Sequence, residues 1–423
     1  MSFAASAFAI HAEIPAETTA MVSTGETQIT LGGEIRTRGW YFHNDVGGTG
    51  VPADAPSAAF YDQRARLSVD AKVSPNVEGY VQLESGNSLT NDAEVWGNFN
   101  QHLAGFNILQ EWILYHGTGL FGFSSGLKVG HMPLALGEKQ FFDHTRWGDD
   151  AIVFFMDPIK ELHTALLTAK FAGDGATHRA INPLGIPANG LQGSQWVNSD
   201  DLDGYVALAV YKLDPKNTVG VNYTFLNLSA AKFTQQNLEL HGNGKIGGFG
   251  WKGEGDMQFG KFGDAKFKGY DLLLAADFTI DPATLRGSFA YGSGPKAGSS
   301  NIDMFIPYVS DVQNYTLVYE YNINTTAGAK STGLANTTYY NLGVDITPVK
   351  DIKASLDGYI IRASKANSAS GSKDAGWEVD GKMVYRVAKN LDYQVDAGYF
   401  KAGDFYTNAK AVTVLRHMIT LNF

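Results

Sequence analysis

Between Tyr61 and Glu84 the chain reads YDQRARLSVDAKV-SPN-VEGYVQLE. In the first half Tyr61, Ala65, Leu67, Val69, Ala71 and Val73 alternate with Asp62, Arg64, Arg66, Ser68, Asp70 and Lys72. A strict period of two is a β-strand with one apolar and one polar face. Ser74-Pro75-Asn76 then supplies turn chemistry, and Val77, Gly79, Val81 and Leu83 return in alternation with Glu78, Tyr80, Gln82 and Glu84. One face of this hairpin is greasy and the other is charged.

The pattern recurs along the chain. Tyr205, Ala207, Ala209 and Tyr211 lead into Asp214-Pro215-Lys216-Asn217, and Val219, Val221, Tyr223 and Phe225 lead out. Further turns are expected at Asp281-Pro282, Thr347-Pro348-Val349-Lys350 and Ala388-Lys389-Asn390. These short turns alternate with long Gly/Ser/Asn-rich loops, such as 173–201 and 292–313, the asymmetry of outer-membrane barrels. Aromatic clusters at Trp40-Tyr41-Phe42, Tyr339-Tyr340 and Tyr399-Phe400 fall near strand ends, where interfacial girdles lie. Strands are read at 27–43, 58–73, 77–85, 107–116, 124–133, 149–156, 162–171, 203–213, 218–228 and 235–245. Those at 248–260, 269–278, 285–291, 314–323, 337–346, 352–362, 375–387, 391–400 and 412–423 follow. Nineteen is odd, whereas a barrel with both termini at one end needs an even number. The turn chemistry places the discrepancy between 282 and 347: either 314–323 or 337–346 lies outside the wall, or 302–309 is an extra strand. The expectation is an all-β, transmembrane antiparallel β-barrel of about 18 strands, with 16 and 20 as alternatives. Its constriction candidates are 134–149 and 86–103.

Composition agrees with this reading. Only 18% of residues are charged, and the longest unbroken apolar run is Ala151 to Met156, far short of the roughly 20 residues of a spanning helix. A mean hydropathy of −0.15 suits strands that alternate between lipid and lumen. The net charge of −10, with scattered basic residues, argues against a nucleic-acid partner. Cys is absent, which removes disulfides, thiolate metal sites and covalent c-type haem from this chain. Phe3 to Ala12, with small residues at Ala7 and Ala9, reads as the remnant of a signal peptide, although no basic n-region precedes it. Residues 1–26 are therefore assigned to a remnant and N-terminal tail, and 27–423 to a single barrel with extracellular loops.

Several segments resemble the alginate-export family of outer-membrane barrels: Gly32-Gly33-Glu34-Ile35-Arg36-Thr37-Arg38, Leu127-Lys128-Val129-Gly130-His131-Met132-Pro133-Leu134, and Phe141-Phe142-Asp143-His144-Thr145-Arg146-Trp147. The stretch from Leu240 to Gly260 and Ala290-Tyr291-Gly292-Ser293-Gly294 are similar to that family's later strands. The resemblance implies an 18-stranded, monomeric pore. Where the family has an arginine after Val129-Gly130 this chain has His131, so the likeness speaks for the pore more than for a polyanionic cargo.

Placing each polar face in the lumen puts Arg36, Arg38, Arg64, Arg66, Arg286, Arg386 and Arg416 inside, together with Glu34, Asp62 and Asp70. Arg36, Arg38, Arg64, Arg66 and Arg416 fall near one another if the last strand closes on the first. Such a mixed lumen would set a transverse field and an ion preference, or consist of paired, solvated wall residues without individual roles. Phe423, an aromatic ending an alternating strand, resembles the assembly signal of outer-membrane proteins. Enzyme signatures are weak. Gly242-Asn243-Gly244-Lys245-Ile246-Gly247 matches G-x-G-x-x-G but precedes a Gly-rich strand rather than a helix. The histidines show no i,i+4 ligand pair and no H-E-x-x-H, and Ser370 to Lys373 fits S-x-x-K without supporting partners. No catalytic residue, metal or cofactor is expected. The reading is a water-filled channel for passive diffusion of ions or small hydrophilic solutes. Its rival is a barrel sheath or export pore for a periplasmic electron carrier or anionic polysaccharide. Expected partners are outer-membrane lipid and lipopolysaccharide, the barrel-assembly machinery and, under the rival reading, a periplasmic protein.

Overall fold

The computed structural model describes residues 20–24, 27–43, 57–85, 94–96, 106–118, 122–172, 202–229, 232–310, 315–329, 331–406 and 410–423. The leader-like stretch 3–12, the loop 173–201 and most of 86–103 lie outside them. Eighteen strands form the wall. The first nine are β1 (Thr27–His43), β2 (Ala58–Ser74), β3 (Val77–Ser85), β4 (Phe106–Gly117), β5 (Ser124–Ala135), β6 (Phe142–Ile159), β7 (Leu162–Ala172), β8 (Leu202–Asp214) and β9 (Asn217–Leu228). The rest are β10 (Phe233–Ile246), β11 (Phe249–Phe262), β12 (Tyr270–Ile280), β13 (Ala283–Gly292), β14 (Thr337–Val349), β15 (Ile352–Ala363), β16 (Asp374–Ala388), β17 (Leu391–Ala402) and β18 (Val412–Asn422). Each pairs antiparallel with its sequence neighbours, and β18 closes on β1 from Glu34↔Asn422 to His43↔Thr413. Closure leaves no open edge in the ring.

The alternation that betrayed the strands is visible on β11. Lys252, Glu254, Asp256 and Gln258 point inward and are buried, while Phe249, Met257 and Phe259 face outward and are exposed. On β14 Leu342 is 78% exposed beside inward Asn341. A belt of exposed leucine, isoleucine and aromatic side chains around a polar interior is unfavourable in water and favourable in lipid, the architecture of an outer-membrane barrel. Two-residue turns at 75–76, 160–161, 215–216, 247–248, 281–282, 350–351 and 389–390 all lie at one end. Asp214 shows how such a turn is held, since its Oδ1 accepts the backbone N–H groups of Lys216 (2.8 Å) and Asn217 (3.0 Å).

Two features depart from the sequence reading, and a third decides between its alternatives. Ala20–Thr24, assigned to the tail, folds back onto β1 in register from Ala20↔Leu31 to Thr24↔Thr27. The strand expected at 149–156 starts at Phe142, because β5 continues past a register shift to pair Leu134 with His144. Of the alternatives left open between 282 and 347, the structure selects the first, with 314–323 outside the wall: β13 pairs directly with β14, from Ala283↔Ile346 to Tyr291↔Thr338. Its described part, from Tyr315 onward, lies inside the barrel and includes one helical turn, Tyr319–Asn322. Tyr315, Leu317, Val318, Tyr319 and Ile323 are all buried. A segment enclosed on every side has no lipid face, so its apolar spacing carries no information about wall membership.

Candidate functional site

The lumen narrows where two loops fold inward. The longer, described at residues 293–310, 315–329 and 331–336, crosses the barrel. The Ile306 carbonyl accepts from Gln235 Nε2 (3.0 Å) and Gln258 Nε2 (2.8 Å), and Ile306 N donates to Gln258 Oε1 (3.0 Å). The loop next pairs Val309–Ser310 in parallel with Phe142–Asp143 at the start of β6. It then reaches β16, where Leu317 N donates to Asp380 (2.9 Å) and Val318 N and Tyr319 N donate to the two oxygens of Glu378 (2.6 and 2.8 Å). Finally Tyr321 stacks on Trp40 of β1, with ring centroids 6.1 Å apart and planes within 3°. The shorter loop, 136–141, lies within the expected constriction segment 134–149. It docks on β11, where Gln140 N donates to Glu254 (2.8 Å) and Glu138 N donates to the same carboxylate.

Between the Tyr321 end of the long loop and the β18–β1–β2 wall is a cavity of 340 Å³. Six arginines line it: Arg36, Arg38, Arg64, Arg66, Arg416 and Arg146, beside Gln82, Gln110, Thr145 and Tyr321. Cross-strand register accounts for the first five, since Arg36 stands opposite Arg64, Arg38 opposite Asp62, Glu34 opposite Arg66, and Trp40 opposite Arg416. Most of these guanidinium groups are paired. Arg38 Nε donates to Asp62 Oδ1 (2.7 Å), Arg64 bonds Glu34 (2.6 Å), Arg66 bonds Glu84 (2.5 Å) and Arg416 bonds Asp396 (2.7 Å). Asp62 also accepts from Trp40 Nε1 (2.8 Å), and Arg38 and Arg416 lie 5.1 and 4.9 Å from the Trp40 ring centroid. Arg36 differs: its Nε and Nη2 are buried with no hydrogen-bond partner among the described residues. Within the group on β18, β1 and β2, five arginines face the four carboxylates Glu34, Asp62, Glu84 and Asp396, one positive charge in excess, and the unpaired donors there are those of Arg36.

The other expected lumen residues lie elsewhere. Arg286 on β13 is held by four hydrogen bonds of 2.8–2.9 Å to Asp345 and Asp357. Arg386 pairs with Asp392 (2.5 Å) across β16 and β17 near their turn. Asp70 faces Thr30 and Tyr80 in the register of β2 and lines no part of the cavity. Phe423 exchanges backbone hydrogen bonds with Gly33 (2.6 and 3.0 Å), and its ring lies where a side chain on residue 33 would point, so only glycine fits there. Sequence reasoning did not single out Arg146 or Tyr321; it put Glu378 and Asp380 on the lumen face without showing that they hold the long loop. Arg146 lay within a flagged segment; Tyr321 lay in 314–323, whose place in or out of the wall the sequence left open.

No protein-family model matches the chain, and neither does any curated protein sequence. Among solved structures it is similar to Pseudomonas aeruginosa OccK5 (OpdH), at 13% identity and a TM-score of 0.58, covering 93% of this chain and 98% of that one. It is also similar to the P. aeruginosa outer membrane protein OprD, at 10% identity and a TM-score of 0.56, covering 93% and 94%. P. aeruginosa OpdK, solved with vanillate, matches at 11% identity and a TM-score of 0.58, covering 93% and 98%. At these identities the likeness is one of fold.

Proposed function

We propose that the chain is an outer-membrane channel for small organic anions, with the arginine cavity as the site that a solute's carboxylate meets in transit. The observation that carries this reading is Arg36: a permanently charged planar fork, buried in a cavity, with two donors that nothing in the wall accepts. An arriving carboxylate supplies two acceptor oxygens in matching geometry. The paired arginines around it set a positive potential without offering saturable donors, and the Tyr321 ring in the cavity lining gives an aromatic solute something to lie against. The vanillate in the OpdK structure, an aromatic carboxylate in a barrel of the same fold, supports this reading. The expectation of passage for any small ion or hydrophilic solute thus narrows to anions. Because the described parts of this long loop cross the lumen, the sheath and polymer-export readings lose support.

The test is single-channel recording of refolded protein in a planar bilayer under a salt gradient. Anion-selective reversal is expected, together with transient current block by vanillate or benzoate that weakens about 10-fold in Arg36→Ala, the lower end of a charge-assisted pair. Cation-selective reversal, or identical block in Arg36→Ala, would refute the proposal.

A further inference from the structure

Halfway around an 18-stranded ring from β1 stand β10, β11 and β12, and their lumen faces converge on a group of acids. Glu239, Glu254 and Asp256 bring one carboxylate oxygen each within 4.8 Å of one another. Asp271 of β12 joins them, its Oδ1 accepting from Asp256 N (3.1 Å). All four are 5% exposed or less. Proximity of acids alone would mean little. What distinguishes this group is the chemistry of its unmet valences. On these three strands the buried side-chain atoms with no hydrogen-bond partner are Gln235 Oε1, Asn237 Oδ1, Glu239 Oε2, Asp256 Oδ2 and Asp271 Oδ2. Every one is an oxygen acceptor and none is a donor. Asn237 is 1% exposed and sits in the group, its Nδ2 donating to Asp256. The basic groups alongside are committed: Lys252 pairs with Glu138 (3.4 Å) and His241 with Glu239 (2.8 Å). No salt bridge reaches Asp256 or Asp271 among the described residues.

The roof of the group is fitted to it. Gly137, at φ +50, lies over Glu239 and Glu254, and a Cβ built there would fall 1.8 Å from Glu239 Oε1. Only glycine lets the 136–141 loop approach so closely. Excess buried acceptors with net negative charge are stabilised by a cation far more than by further packing.

We infer that this pocket binds one calcium-sized divalent cation, ligated by the carboxylates of Glu239, Glu254 and Asp256, with Asp271 and the Asn237 amide oxygen as further donors. The donor set is all oxygen and comes from three flexible-length side-chain types, which suits the 6–8 ligands and loose geometry of Ca²⁺. It does not suit the strict octahedron of Mg²⁺ or the nitrogen and sulfur preference of zinc. Bound there, the ion ties the 136–141 loop to the wall, because Glu254 also accepts that loop's backbone N–H groups. The narrowing of the lumen on this side is thereby coupled to Ca²⁺.

The test uses full-length protein refolded in detergent without lipopolysaccharide, stripped with EDTA and titrated calorimetrically with CaCl₂ and, separately, MgCl₂. One Ca²⁺ per chain is expected, with Mg²⁺ at least about 10-fold weaker, and Ca²⁺ affinity falling at least about 10-fold in Asp256→Asn and in Glu239→Gln. A measurement on the unaltered protein guards against misfolded variants: Ca²⁺ should slow chymotryptic cleavage after Phe141 and Phe142, which are buried at the loop's junction with β6. Absence of Ca²⁺ uptake at millimolar concentration, equal affinity for Mg²⁺, or unchanged binding in both variants would overturn the inference.

Discussion

Replacing Glu378 by alanine should release the long lumen loop while leaving the wall intact. Glu378 is fully buried on β16, and its two carboxylate oxygens accept the N–H groups of Val318 and Tyr319 at 2.6 and 2.8 Å. With alanine those two donors remain enclosed without an acceptor, at a cost of about 1–3 kcal/mol each, hence about 2–6 kcal/mol for the docked state. The lower figure already multiplies the undocked fraction by about 30, taking 1.4 kcal/mol as tenfold. The wall does not share this cost, because β16 pairs with β15 and β17 through its own backbone. Glu378→Gln keeps one acceptor oxygen and should fall between. Chymotrypsin reads the effect directly, since Tyr315, Leu317 and Tyr319 are buried while the loop is docked. Where reclosing outpaces cleavage, the cutting rate tracks the open population. At least about 30-fold faster cutting is expected for the alanine variant, with unaltered barrel melting. Cutting rates within about twofold of the parent, in protein shown to be folded, would refute the idea that β16 holds the loop.

Burial within the same loop pushes the Glu320 carboxyl up to about 8, with the nearby Glu378 charge acting in the same direction. The docked loop therefore binds a proton more tightly than the released loop. Docking should be strongest below Glu320's ordinary value of 4.5, weaken as pH rises through about 8, and level off above it. Open-channel current noise should rise over that window in the parent and stay flat in Glu320→Gln; a flat parent profile would contradict the assignment. Arg286→Ala strands Asp357 at full burial and should cost the barrel about 3–5 kcal/mol, seen as a lowered unfolding midpoint in urea. Arg386→Ala, at a more exposed pair near a turn, should cost about 1 kcal/mol or less; equal effects would show that burial does not rank these pairs. Arg36→Lys keeps the charge but loses the fork, so anion selectivity should persist while carboxylate block weakens.

The wall was legible because each strand borders two solvents of opposite polarity, which writes a period of two into residues such as Tyr61 to Val73. The arginine group was legible for a related reason: closure of β18 on β1 places Arg416 beside Trp40 and Arg38 without further information. The interior was not legible in the same way. Residues 315–320 are buried in protein, and a spacing that marks a lipid face elsewhere marks nothing there. Which carboxylates hold Arg286 was not legible, because Asp345 and Asp357 lie 59 and 71 positions away, on strands whose register the sequence does not state. The carboxylates of β10 to β12 are scattered over positions 239 to 271, and only register brings them to one point.

The wall holds the crossing loop by accepting its main-chain N–H groups at Leu317, Val318 and Tyr319, so the fastening is indifferent to which side chains the loop carries, proline excepted. Surface shown to a passing solute and attachment to the barrel are therefore separable traits. Substitutions at Tyr321 or its neighbours can retune what the channel admits without undoing the bolt. The same barrel could diversify across many solutes by drift in one loop while Glu378 and Asp380 stay where they are.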